Sequence, residues 1–180
     1  MLLNETYFGV GHKAGGMIMA GVESAWGRLY NLNNPCYNVM FTCSTIKFGI
    51  GAGGGMGSII ALAFNIKKLR DLEKTNKGFD WGIGLDIGVV KASAIASAVK
   101  NHKALAVAVE LAAMLKKGGN PHLNGSDITN VRNLASVVFN YSKLTSNEPE
   151  LFFIDIPGAG LGAEVSVSLS LPLEGVKIVF

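Results

Sequence analysis

Residues 47–67 read KFGIGAGGGMGSIIALAFNIK, with glycine at every second position from Gly49 through Gly51, Gly53 and Gly55 to Gly57. In an extended chain, residues i and i+2 point the same way, so one face of such a strand is bare backbone. Glycine inside a strand costs roughly 0.5–1 kcal/mol, so five forfeit on the order of 2.5–5 kcal/mol. Close approach by a helix, another backbone, a flat ligand or a lipid chain would offset that loss.

The same parity recurs in three other segments. Gly9, Gly11 and Gly15 share it, as do Gly82, Gly84 and Gly88, and Gly158, Gly160 and Gly162. In residues 80–90 the opposite face carries Trp81, Ile83, Leu85, Ile87 and Val89, the period-two pattern of a strand packed on one side. Residues 163–173 alternate as a half-buried antiparallel strand, with Val165, Val167, Leu169, Leu171 and Leu173 on one face. Pro172 ends that strand or places it at an edge. The stretch NVMFTCSTIKF (38–48) is β-branched and aromatic, with an apolar parity that shifts near Ser44 as it would at a bulge. Residues 17–30 form another expected strand, with Ile18, Ala20, Val22 and Trp26 on one face.

Helix signals occupy the middle of the chain. Residues 104–117 are strong helix formers ending in two lysines and followed by Gly118-Gly119-Asn120-Pro121, a stop signal. Residues 127–144 place Ile128, Val131, Leu134, Ala135, Val138 and Tyr141 on one stripe behind a Ser126/Asp127 cap. A short basic helix is expected over about 67–76, with Leu69 and Leu72 inward. Residues 91–103 fit either period. The expected class is α+β, a mostly antiparallel glycine-rich sheet with an inserted pair of helices, in one domain over 1–180. The helix at 104–117 is the simplest object to lie on a glycine face.

Composition narrows the function classes. Apolar residues make up 49% and charged residues 16%, against roughly 25% charged in an ordinary soluble domain. This excludes disorder and leaves either a compact globule or a surface meant for a membrane or partner. The net charge is +3, and Arg28, Arg70 and Arg132 are the only arginines among sixteen basic residues, which argues against nucleic acid. Cys36 and Cys43 read as two thiols. The N-terminus MLLNETYFGVGHK has no signal-peptide pattern, so a cytoplasmic or peripheral-membrane location is expected.

Gly49-Ile50-Gly51-Ala52-Gly53-Gly54 matches G-x-G-x-x-G, but no helix opens within these glycines, and the acids about twenty residues on, Asp71 and Glu73, lie in a charged helix. Phe48 to Ile66 carries no charge and has the length of a membrane span. Its glycine content disfavours a spanning helix, while an insertion segment remains open. His12, His102 and His122 show no metal-ligand spacing, Ser58 lacks a nucleophile elbow, and Asp80, Asp86 and Asp155 sit among apolar strand residues. No catalytic residue, metal or cofactor is expected from these patterns.

The segment GIGAGGGMGSIIALAFNIKKLRDLEKTNKGFDWGIGLDIG (49–88), followed later by FNYSKL (139–144), resembles SYLF domains. That resemblance implies lipid binding of the kind associated with phosphoinositides and membrane remodelling. The basic run supplies headgroup candidates at Lys67, Lys68, Arg70, Lys74 and Lys77, since each cation near an anionic bilayer contributes about 1 kcal/mol. Phe48, Ile50, Met56, Ile59 and Phe64 are the apolar insertion candidates. The expected function is non-enzymatic binding of anionic lipid or a membrane surface. The alternatives are a structural subunit that packs into a homo-oligomer, and an enzyme of unrecognised type.

Overall fold

A computed structural model describes residues 6–73, 98–99, 101–142, 150–156, 169–172 and 177–179. Its elements are strands β1 (Tyr7–Asn31) and β2 (Asn38–Phe64), helices α1 (Leu69–Leu72), α2 (Ala104–Lys116) and α3 (Gly125–Ser142), and strands β3 (Glu150–Asp155), β4 (Leu169–Pro172) and β5 (Lys177–Val179). The class is α+β, with every described strand pairing antiparallel. The expected strand at 80–90 and the glycines at 158–162 lie outside the described residues.

The glycine-patterned segment at 9–15 and the strand expected over 17–30 form one long strand, β1. β1 pairs with β2 from Tyr7↔Ala63 to Tyr30↔Asn38. The tight connection is held by Asn31, whose Oδ1 accepts the backbone N–H groups of Asn33 (2.8 Å) and Asn34 (3.1 Å). Fully extended, 25 residues would span about 80 Å. Yet the Leu32 N–H donates to the Thr6 carbonyl at 3.1 Å, so the ribbon returns on itself. Thr6 opposite Leu32, Gly9 beside Leu29 and Gly11 beside Gly27 are each symmetric about Met19. The ladder slips there too: Ile18 faces Ala52 and Ala20 faces Phe48, so Met19 stands against three β2 residues. A surplus on one strand bends a ribbon. Because the surplus is two residues, the register has the same parity on both sides of the bend. The parity shift expected near Ser44 is corrected accordingly, because Ser24↔Ser44 sits in unbroken register.

β2 is folded in the same way. Its C-terminal part pairs with β3 over Ile59–Phe64, its N-terminal part with β4 over Thr45–Phe48 and with β5 over Met40–Thr42, and β3 pairs with β4. With the two halves of β1 in contact, these pairings wrap the sheet around one inner face into a small barrel-like fold.

The barrel has two faces and two cores. Tyr7, Ala25, Leu29, Val39, Phe41, Cys43, Ile59, Ala61, Ala63, Leu151 and Phe153 point inward, and Ile66 and Leu72 join them. Phe41 stacks on Phe153 with centroids 5.8 Å apart. Outward, Phe8, Val10, Tyr30, Ile60, Leu62, Phe64 and Ile154 are covered by Ala104, Val107, Ala108, Leu111 and Ala112 of α2 and Val131, Leu134, Ala135 and Val138 of α3. The run Ile59 to Phe64 is apolar on both faces because both are buried. Its inner side chains include two alanines, and its outer ones are large.

This arrangement shows what the described bare faces are for. Gly9, Gly11 and Gly27 lie on the inner parity, where the halves of β1 meet. A Cβ on Gly11 would sit 2.2 Å from the Trp26 carbonyl oxygen, and one on Gly27 would sit 2.2 Å from that of Val10. The stem of Lys13 lies across Gly57. The helix at 104–117 was the expected occupant of a glycine face; instead α2 covers the opposite face, where Ile60, Leu62 and Phe64 provide side chains to pack on.

Both longer helices follow their sequence signals, with one correction. At the end of α2, the Gly118 N–H donates to Leu115 O and the Gly119 N–H to Met114 O, each at 3.0 Å, with Gly118 at φ +75°. This is the left-handed glycine stop that the Gly118-Gly119 pair foretold. The cap of α3 is Asn124 and not Ser126/Asp127. Its Oδ1 accepts the Asp127 N–H at 2.9 Å while the Asp127 carboxylate accepts the Asn124 N–H at 3.3 Å, so the helix begins at Gly125.

Candidate functional site

The basic segment leaves the barrel at Asn65, whose left-handed φ of 61° turns the chain out of β2. Ile66 and Leu72 are buried and Leu69 packs beside them, which anchors α1 at the barrel. Between these anchors Lys67, Lys68 and Arg70 are exposed. Asp71 is partly occupied within the helix, since its carboxylate accepts the Lys68 N–H at 2.7 Å. α1 is a single turn of four residues, and Lys74 and Lys77 lie outside the described residues.

The apolar candidates separate by face. Met56 is 60% exposed. Ile59 and Phe64 are core residues, Ile59 inside the barrel and Phe64 under the helices, where Phe64 meets Phe139 and Phe152 at centroid distances of 5.6 and 5.9 Å. The backbones of Phe48 and Ile50 run within β2 and their side chains lie outside the described set.

A polar cluster lies on the outer face, at the C-terminal end of α2. Cross-strand register places His12 opposite Ser58, with Nδ1 3.4 Å from Oγ, and the Trp26 ring lies 6.3 Å from the imidazole. Burial, and then the positive charge of Lys116, hold the His12 pKa below its ordinary value, while the Ala112 carbonyl opposes them. Ser58 thus has an imidazole neighbour 46 residues away, which local motif spacing does not reveal. At 3.4 Å the pair is longer than an ordinary hydrogen bond between these atoms. Among the described residues, no group of three or more His, Cys, Asp or Glu side chains is placed to hold a metal ion.

The outer surface of α2 is the second feature that residue patterns did not single out. Glu110 and Lys116 are the only charged residues in ALAVAVELAAMLK. Ala104, Val107, Ala108, Leu111 and Ala112 are buried against the sheet, yet Ala106, Val109, Ala113 and Met114 are exposed, with Val109 at 44% and Met114 at 50%. Lys103, Lys116 and Lys117 are exposed at the two ends of this surface. Among the described residues, no helix is long and apolar enough to cross a membrane.

No family model, curated protein or solved structure matches this chain.

Proposed function

We propose that this chain is a non-enzymatic protein that binds anionic lipid at a membrane surface, with Lys67, Lys68 and Arg70 as headgroup contacts. The observation that carries this reading is the exposure of three cations within four residues, on a turn whose neighbouring apolar side chains are anchored in the barrel. Each cation near an acidic leaflet contributes about 1 kcal/mol, with Asp71 and Glu73 offsetting part of the sum. The similarity of residues 49–88 to SYLF domains points the same way. Lys74 and Lys77 extend the basic run in sequence. Co-sedimentation with acidic vesicles tests the assignment: Lys67→Glu/Lys68→Glu is expected to lose most of the bound fraction. Binding by the charge-reversed protein at the level of the unaltered one would remove these residues from the contact.

Self-association is a second reading, favoured by one patch. Met40 and Val179 are cross-strand partners and both are exposed, as is nearby Tyr37. Light scattering that returns the mass of a single chain would dismiss it.

A further inference from the structure

We infer that the outer face of α2 is the surface that lies against the acyl boundary of an anionic bilayer; this rests on the lipid reading above. A helix apolar on all sides is normally covered on all sides. Among the described residues α2 is covered by the sheet and by α3, and Ala106, Val109, Ala113 and Met114 recur along its exposed side at helical spacing. From Lys103 to Lys117 that side is about 21 Å long. Its charges are Lys103 at one end, Lys116 and Lys117 at the other, and Glu110 between them.

Those charges select the occupant. If a second copy covered the face, antiparallel helices would bring Lys103 of one chain to Lys117 of the other at both ends, and parallel helices would set each lysine against its equivalent. Like charges would meet in either arrangement. An acidic leaflet reverses that sign: the lysines reach phosphate and carboxylate groups while Val109 and Met114 enter the boundary below them. The sheet adds to the apolar surface. Met56 lies one same-face step beyond Ser58, which is partner to His12, and Lys116 acts electrostatically on His12. Met56 therefore stands near the C-terminal end of α2, on the same side of the barrel wall.

The experiment uses the full chain and vesicles of phosphatidylcholine with or without phosphatidylserine. Val109→Ser/Met114→Gln removes apolar contact from exposed positions and is expected to weaken partitioning to acidic vesicles about tenfold or more. Lys103→Glu/Lys117→Glu is expected to abolish it. A polarity-sensitive dye at Met114→Cys, in a Cys36→Ser background, is expected to shift to the blue with acidic vesicles and to stay unchanged with neutral ones. If the unaltered protein fails to bind acidic vesicles, the lipid reading and this inference both fall. If it binds, loses binding with Lys67→Glu/Lys68→Glu, and is unaffected by the α2 substitutions, only the α2 assignment is overturned. A dimer in light scattering that Val109→Ser/Met114→Gln converts to single chains would also overturn it, by showing that a second copy covers the face.

Discussion

Replacing Gly27 with alanine puts the closure of the barrel under direct test. The added Cβ would lie 2.2 Å from the Val10 carbonyl oxygen, 2.5 Å from the Gly11 Cα and 2.9 Å from Cε1 of Phe41. Two of these are backbone atoms of the returning half of β1, so no rotamer change relieves them, and the third belongs to a ring stacked on Phe153. Overpacking a filled core costs typically 1–3 kcal/mol, and a collision with backbone belongs at the upper end, about 3 kcal/mol. For a chain of this size that corresponds to a fall in Tm of roughly 6–12 °C. Two comparators separate the collision from the generic effect of adding a methyl group. At Gly57 the nearest atom is Cε of the Lys13 stem at 3.1 Å, so Gly57→Ala is expected to cost less than about 1 kcal/mol. At Gly125, in the first turn of α3, nothing lies within 4 Å, and Gly125→Ala is expected to gain about 0.4–1 kcal/mol through the unfolded chain. Urea unfolding followed by far-ultraviolet circular dichroism supplies all three values. If Gly27→Ala unfolds at the same midpoint as Gly57→Ala, the two halves of β1 do not meet as described.

The two thiols should behave differently toward a thiol reagent: exposed Cys36 reacts promptly, whereas burial inside the barrel pushes the Cys43 thiol up to about 12 and keeps it silent until denaturant is added. Two fast equivalents in the native protein would contradict the inward placement of Cys43. Stability should also fall on acidification. His12 is held below its ordinary pKa by burial and Lys116, and His102 by burial, while the His102 Nδ1 accepts the Ala104 N–H at 3.1 Å at the start of α2. Each binds its proton more readily when unfolded, so stability is retained above about pH 6.5 and declines as the pH drops through that value toward the folded pKa. His102→Asn keeps an acceptor and removes one titrating group, so melting curves from pH 7 to pH 5 should be flatter for this variant. A steeper dependence would refute the role given to His102.

The alternating glycines were sufficient to read an extended chain with a bare face, because parity in a strand is a local property. The occupant of that face was a non-local matter. The returning half of β1 meets Gly11 through contacts with residues about sixteen positions away, and their location depends on the register slip at Met19. One sequence signal did bear on the outcome. In Ile59 to Phe64 the large residues Ile60, Leu62 and Phe64 share the face opposite to the glycines, and a helix packs where side chains exist to receive it. The ends of α2 were legible because Gly118-Gly119 forms its cap within the local chain, whereas Asn124 displaced Ser126 through a reciprocal bond with Asp127. At the candidate site, the basic run was visible as a run of charge. The open face of α2 was not, because a helix rich in Ala, Val and Leu gives no sign of which side the sheet will cover. His12 beside Ser58 likewise required the register of two strands.

Binding of the full chain to vesicles that differ only in phosphatidylserine content tests the central claim most directly. The protein is expected to co-sediment with acidic vesicles, to bind neutral ones little, and to be released at about 1 M salt, where the Debye length is about 3 Å. Equal recovery in the supernatant with both vesicle types at low salt would contradict it.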